Sequence, residues 1–152
     1  MVRYYCPTCW GVVDRAAVRC TECGAALHEK DRDIVLRYVD ALRNPEPTRA
    51  ALACEMLAKL GDRRAVPPLV TLIESRPRAY EVLCAAVKAL GQFGLPGTAS
   101  VLIDVLQDLR AAIPARVEAL HALVSFGGQI AVRALDWAAM SDRPSLRAFA
   151  SE

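Results

Sequence analysis

From residue 31 onward the apolar positions recur at threes and fours. Ile34, Val35, Tyr38 and Leu42 form one stripe, with Leu36 and Val39 beside it. That period predicts a helix over residues 31–43, opened by the acidic caps Asp31 and Asp33 and broken by Asn44-Pro45-Glu46-Pro47. Beyond the break the chain repeats every 33 residues: Leu57, Leu90 and Leu123; Leu60, Phe93 and Phe126; Gly61, Gly94 and Gly127. Ala53, Ala86 and Ala119 keep the interval earlier in the unit, and Val66, Ala99 and Val132 keep it later, followed by Leu69, Leu102 and Leu135. One step back from Leu69 and Leu72 reaches Leu36 and Val39, so the helix over 31–43 is the second half of a preceding unit.

Each unit predicts helix, glycine turn, helix, with the glycine taking the left-handed geometry that ends the first helix. First helices are expected at 46–60, 79–93 and 112–126, and second helices at 64–75, 97–109 and 129–140. Pro67-Pro68 predict a delayed or bent start to the helix near residue 64. One such pair cannot hide its apolar stripe, so the pairs must stack as a solenoid. Trp137 stands where earlier units have Thr71 and Asp104, and Asp136 occupies the apolar site of Val70 and Ile103. Either the third unit slips by one residue or a large aromatic faces outward. Either a tail carrying Leu146 and Phe149 folds back over Trp137, or the exposed aromatic anchors a hydrophobic partner or a second copy of the chain.

The first thirty residues follow a different logic. Cys6-Pro7-Thr8-Cys9 and Cys20-Thr21-Glu22-Cys23 are two Cys-x-x-Cys pairs with ten residues between them. Two such turns close a tetrahedral thiolate shell around one ion, and a piece this short needs the ion to fold. The expectation is one structural Zn2+ per chain on Cys6, Cys9, Cys20 and Cys23, with iron in a rubredoxin-like shell or two disulfides as the alternatives. Tyr5-Cys6-Pro7-Thr8-Cys9 and Cys20-Thr21-Glu22-Cys23-Gly24 resemble the short bacterial zinc-ribbon family over about residues 4–27. Trp10 stands where that family has its first knuckle glycine. Such ribbons act as adaptor or nucleic-acid-contact modules, so the resemblance implies the metal and not the task.

The helical units lack the ankyrin Thr-Pro-Leu-His signature and the tetratricopeptide Trp, Leu-Gly and Tyr pattern. The run Ala53–Leu69, with Leu60-Gly61-Asp62 at its centre, and the echo Ala89-Leu90-Gly91-Gln92-Phe93-Gly94 resemble short HEAT-like repeats of the PBS-lyase type, over about residues 31–143. The fold class is therefore mainly α: a zinc ribbon at 1–30 followed by an α-helical HEAT-like solenoid at 31–152. The resemblance implies a protein that presents a groove to a partner; a minority of such proteins are enzymes.

Composition narrows the partners. The net charge is +2, and four thiolates around a dication would bring it to about zero. That balance does not suit a free-standing nucleic-acid binder. No apolar run reaches the length of a membrane span and residues 1–6 are not a signal peptide, which predicts a cytoplasmic chain. Catalysis finds little material. His28-Glu29 is a single His-Glu pair outside the repeats, and His121 is in register with Glu55 and Lys88, a solvent face. Cys54 and Cys84 sit among apolar residues, where packing is their expected role. Arg133, Asp136 and Trp137 supply the residue types of HEAT-like DNA glycosylases without matching a motif. The sequence thus points to a non-enzymatic adaptor that binds a protein partner through the solenoid. The alternative is nucleic-acid or ribosome association through Arg15, Arg19, Arg63, Arg64, Arg76 and Arg78, each near acidic neighbours such as Asp14, Asp62 and Glu74.

Overall fold

A computed structural model of the 152-residue chain describes residues 3–27 and 33–151. Near the N-terminus, β1 (Tyr4–Tyr5) pairs antiparallel with β2 (Val12–Val13), Tyr4 facing Val13 and Tyr5 facing Val12. Everything described beyond residue 33 is helix and short connection. Asp33 opens α1 (Ile34–Ala41), its carboxylate accepting from the backbone N–H of Val35 at 2.8 Å. Three helical pairs come next: α2 (Pro47–Leu60) with α3 (Val66–Glu74), α4 (Tyr80–Gln92) with α5 (Ala99–Gln107), and α6 (Ile113–Ser125) with α7 (Gly128–Ala139). A final short helix, α8 (Pro144–Ala150), folds back against α7.

The repeat chemistry produces these pairs. Gly61, Gly94 and Gly127 have φ of 65°, 60° and 73°, the left-handed region that lets the chain leave each first helix. First helices lie side by side, α2 on α4 and α4 on α6, and each second helix packs behind them, as a solenoid requires. Leu57, Leu90 and Leu123 are each fully buried, as are Leu69 and Leu102, while Ala53, Ala86 and Ala119 keep the helices close. Gly91 marks a close approach of α4 to α6: a Cβ built there would lie 2.5 Å from the Ala122 Cβ.

Second helices begin differently from unit to unit. Single turns of 3₁₀ helix, Arg63–Ala65 and Pro96–Thr98, lead into α3 and α5, and Pro67 and Pro68 sit in the first turn of α3. No such turn precedes α7, which starts directly at Gly128 after two left-handed glycines in a row. A 3₁₀ turn advances about 120° per residue against about 100° in an α-helix, so its loss re-phases the helix behind it. The buried residues of α7 are accordingly Ala134 and Ala138, one position short of the expected Leu135 register. The third unit has slipped by one residue. Asp136 is exposed, and Trp137 turns half inward onto the core. The tail does fold back, with Leu146 fully buried and the Phe149 ring 4.3 Å from that of His121. At the other end α1 also departs from the expected register: Val35 is buried and Leu36 exposed.

Candidate metal centre

Two backbone loops of the same design carry the four cysteines. In the first, the Cys6 N–H donates to Gly11 O and the Trp10 N–H to Cys6 O, both at 2.9 Å. In the second, the Cys20 N–H donates to Ala25 O and the Gly24 N–H to Cys20 O, again at 2.9 Å. Gly24 closes its loop at φ 72°, and Trp10 closes the other at φ 60°. The tryptophan therefore holds the conformation that the ribbon pattern assigns to glycine, at a cost of about 1–2 kcal/mol. The first knuckle keeps its shape despite the change of residue.

The loops bring all four sulfurs within 4.8 Å of one another. Cys6 Sγ lies 3.5 Å from Cys23 Sγ, and Cys9 Sγ 3.6 Å from Cys20 Sγ. These separations are far too long for disulfides and close to the edge of about 3.8 Å that a tetrahedron with Zn–S bonds of about 2.3 Å demands. The donor set therefore fits one metal ion. Cys6 and Cys20 are buried and Cys9 and Cys23 lie outward, one of each per loop.

The thiols do not ionise alike. Burial would raise Cys6, but the N–H groups of Cys9 and Thr8 and the thiols of Cys23 and Cys20 outweigh it and bring it down to about 6. For Cys9 the N–H of Gly11 acts downward, yet burial and the three neighbouring thiols push it up to about 12. Cys23 is also raised: the Ala25 N–H opposes the shift, and burial with the thiols of Cys6 and Cys20 produces it. One thiolate forms readily and then resists a second. A dication between the sulfurs removes that repulsion, which is the electrostatic reason such a cluster suits a metal.

The other candidate residues do not converge. Cys54 is fully buried and its thiol is pushed up to about 12, while burial, with Glu118 and Glu81, raises Cys84. His121 is exposed on α6, and His28-Glu29 lies outside the described residues. Arg133 and Asp136 are exposed on α7, whereas Trp137 faces Arg116 with the guanidinium 5.4 Å from its ring centre. Of the loop arginines, Arg64 pairs with Asp62 at 2.7 Å and Asp33 at 2.9 Å, Arg76 pairs with Asp108, and Arg19 donates to Gly24 O. Those contacts leave Arg15, Arg63 and Arg78 of the six without a partner among the described residues.

Sequence reasoning passed over Arg116. It is fully buried, its Nε donates to Leu106 O at 2.8 Å, and both terminal nitrogens are buried without a partner among the described residues. The signal was present in the register: Arg116 stands where the preceding units place Ala50 and Leu83, both core residues.

This architecture is a repeat of helical pairs with a cysteine cluster at one end. The pattern that defines HEAT repeats matches residues 35–120, and the chain belongs to that family. It is also similar to the bilin biosynthesis protein PecE of Mastigocladus laminosus, 42% identical over an alignment that covers 36% of this chain and 26% of PecE. The chain thus aligns with about a quarter of the length of that relative.

Proposed function

We propose that this chain is a non-enzymatic adaptor: the solenoid at 31–152 binds a protein partner, and the unit at 1–30 is a zinc ribbon holding one structural Zn2+ on Cys6, Cys9, Cys20 and Cys23. The carrying observation is the face formed by successive second helices. Pro67, Thr71 and Glu74 on α3 and Ser100, Asp104 and Gln107 on α5 are exposed at the same repeat positions, giving a continuous polar surface backed by a buried core. Repetition of one surface without a convergent reactive group suits binding better than turnover. The high thiol pKa of Cys54 and the solvated setting of His121 agree with that reading. The likeness to PecE covers 36% of this chain and 26% of PecE, so bilin chemistry is not carried over with it.

Nucleic-acid or ribosome association is the second reading, favoured only by Arg15, Arg63 and Arg78. Capture from native extract on immobilised, metal-loaded full-length protein tests both. Protein retained by the wild type and lost on Glu74→Lys with Asp104→Lys is the expected result. Capture abolished by nuclease, with affinity falling steeply in salt, would instead establish the second reading.

A further inference from the structure

Between the ribbon and the first helices lies a cleft of about 440 Å³, within the range of ligand pockets. Tyr5, Trp10 and Tyr38 line it together with Arg37, Asn44 and Arg49. Three of the nine aromatic residues in the chain therefore meet here. Among the described residues no carboxylate lines the cleft. Its polar groups are almost wholly donors. The Asn44 carbonyl already accepts from the Glu46 N–H at 2.9 Å, which leaves its amide hydrogens to offer. The Arg37 guanidinium has no partner among the described residues. The Trp10 indole N–H is itself buried, with no acceptor among the described residues, so Trp10 contributes its ring rather than a donor to the cleft. The residue is held in left-handed backbone that glycine would occupy without strain. Arg49 ties the two walls together: it pairs with Glu46 at 2.8 Å, donates to Arg3 O at 3.1 Å and lies 5.9 Å from the Tyr5 ring.

We infer that this cleft binds a proline-rich peptide segment bearing acidic residues. A polyproline II strand presents carbonyl acceptors and flat apolar rings and has few N–H groups to satisfy, the complement of a donor-rich aromatic wall. Its low conformational entropy in the free state suits a shallow site. An acidic flank pairs with Arg37, which has no partner among the described residues. The inference deepens the adaptor reading and rests on it: it names the chemistry of one partner and assigns that partner to the junction, leaving the second-helix face for another.

Fluorescence anisotropy on metal-loaded full-length protein tests it with three labelled peptides: six prolines followed by two glutamates, six prolines followed by two lysines, and six alanines followed by two glutamates. The first is expected to bind most tightly. Trp10→Gly suits the backbone at that position and removes the ring, so affinity for the first peptide should fall about tenfold or more while one metal per chain is retained. Tyr38→Ala, on α1 and away from the cysteines, should give a similar loss. Arg37→Glu should weaken binding about threefold and flatten its salt dependence, and Lys88→Glu, exposed on α4 outside the cleft, should change nothing. The inference is overturned if the alanine peptide binds as well as the proline–glutamate one, or if Trp10→Gly and Tyr38→Ala both bind like the wild type. Should the peptide fail while capture on the second-helix face persists, the cleft assignment is lost and the adaptor reading stands; failure of both removes the two together.

Discussion

Arg116 carries a charge into a site where its repeat relatives are Ala50 and Leu83, and only its Nε finds an acceptor. The stack on Trp137 offsets part of the desolvation, but two buried nitrogens have no partner among the described residues. Arg116→Leu restores the repeat residue of the second unit, and urea unfolding should report a gain of about 1–4 kcal/mol. A loss would mean that the guanidinium is better satisfied than its contacts indicate. The Asp33–Arg64–Asp62 trio makes a prediction of a different kind. Hydrogen bonds from Arg64 are the main reason both carboxyls lie below their usual value of 3.8, aided by nearby backbone N–H groups and opposed by burial. Their stabilisation is therefore full above the unfolded-state value and is lost as pH falls through the lower folded-state one. Replacing Arg64 by Ala should flatten the acid limb by lowering stability slightly at neutral pH while leaving it unchanged in acid, and the loss should be small because all three side chains face solvent.

At the level of elements, the close approach of α4 and α6 depends on Gly91. Gly91→Ala should cost about 1–3 kcal/mol through the clash with Ala122, and Ala122→Gly on the opposite helix should recover much of it. An unchanged midpoint for the single variant would show that the helices can part freely. Much of this layer was legible in the chain. The 33-residue period located all three helical pairs because glycine placed every turn and Leu57, Leu90 and Leu123 filled the same core site in each first helix. It did not reveal the 3₁₀ turns, since Arg63–Ala65 and Pro96–Thr98 share no residue type. Nor did it decide the phase of α7. That depends on whether Gly128 enters the helix at once, and the periodicity of Leu135 alone points the wrong way. Leu36 misled for a similar reason: its register matched Leu69, yet α1 starts on the Asp33 cap and buries Val35 instead.

For the whole molecule, the two parts should respond separately to metal removal. Elemental analysis is expected to return one zinc per chain, released by a strong chelator or by acid as the thiolates protonate, with loss of ribbon order and persistence of the helical circular dichroism. Collapse of the helical signal on chelation would mean that the units do not fold independently. Leu57→Ala, Leu90→Ala and Leu123→Ala should each cost about 2–5 kcal/mol, as expected for fully buried leucines. The cysteine shell was readable because ligand spacing is local. The cleft was not, because Trp10, Arg37 and Asn44 become neighbours only once ribbon and helices are packed. Trp10 and Trp137, the two indoles of the chain, stand at opposite ends of this stack, one in the ribbon loop and one above Arg116 on α7. They form a pair of native optical reporters separated by the whole row of helices. Emission from single-tryptophan variants would trace melting from each end independently, and the gap between the two curves would measure over how many helical pairs cooperativity extends.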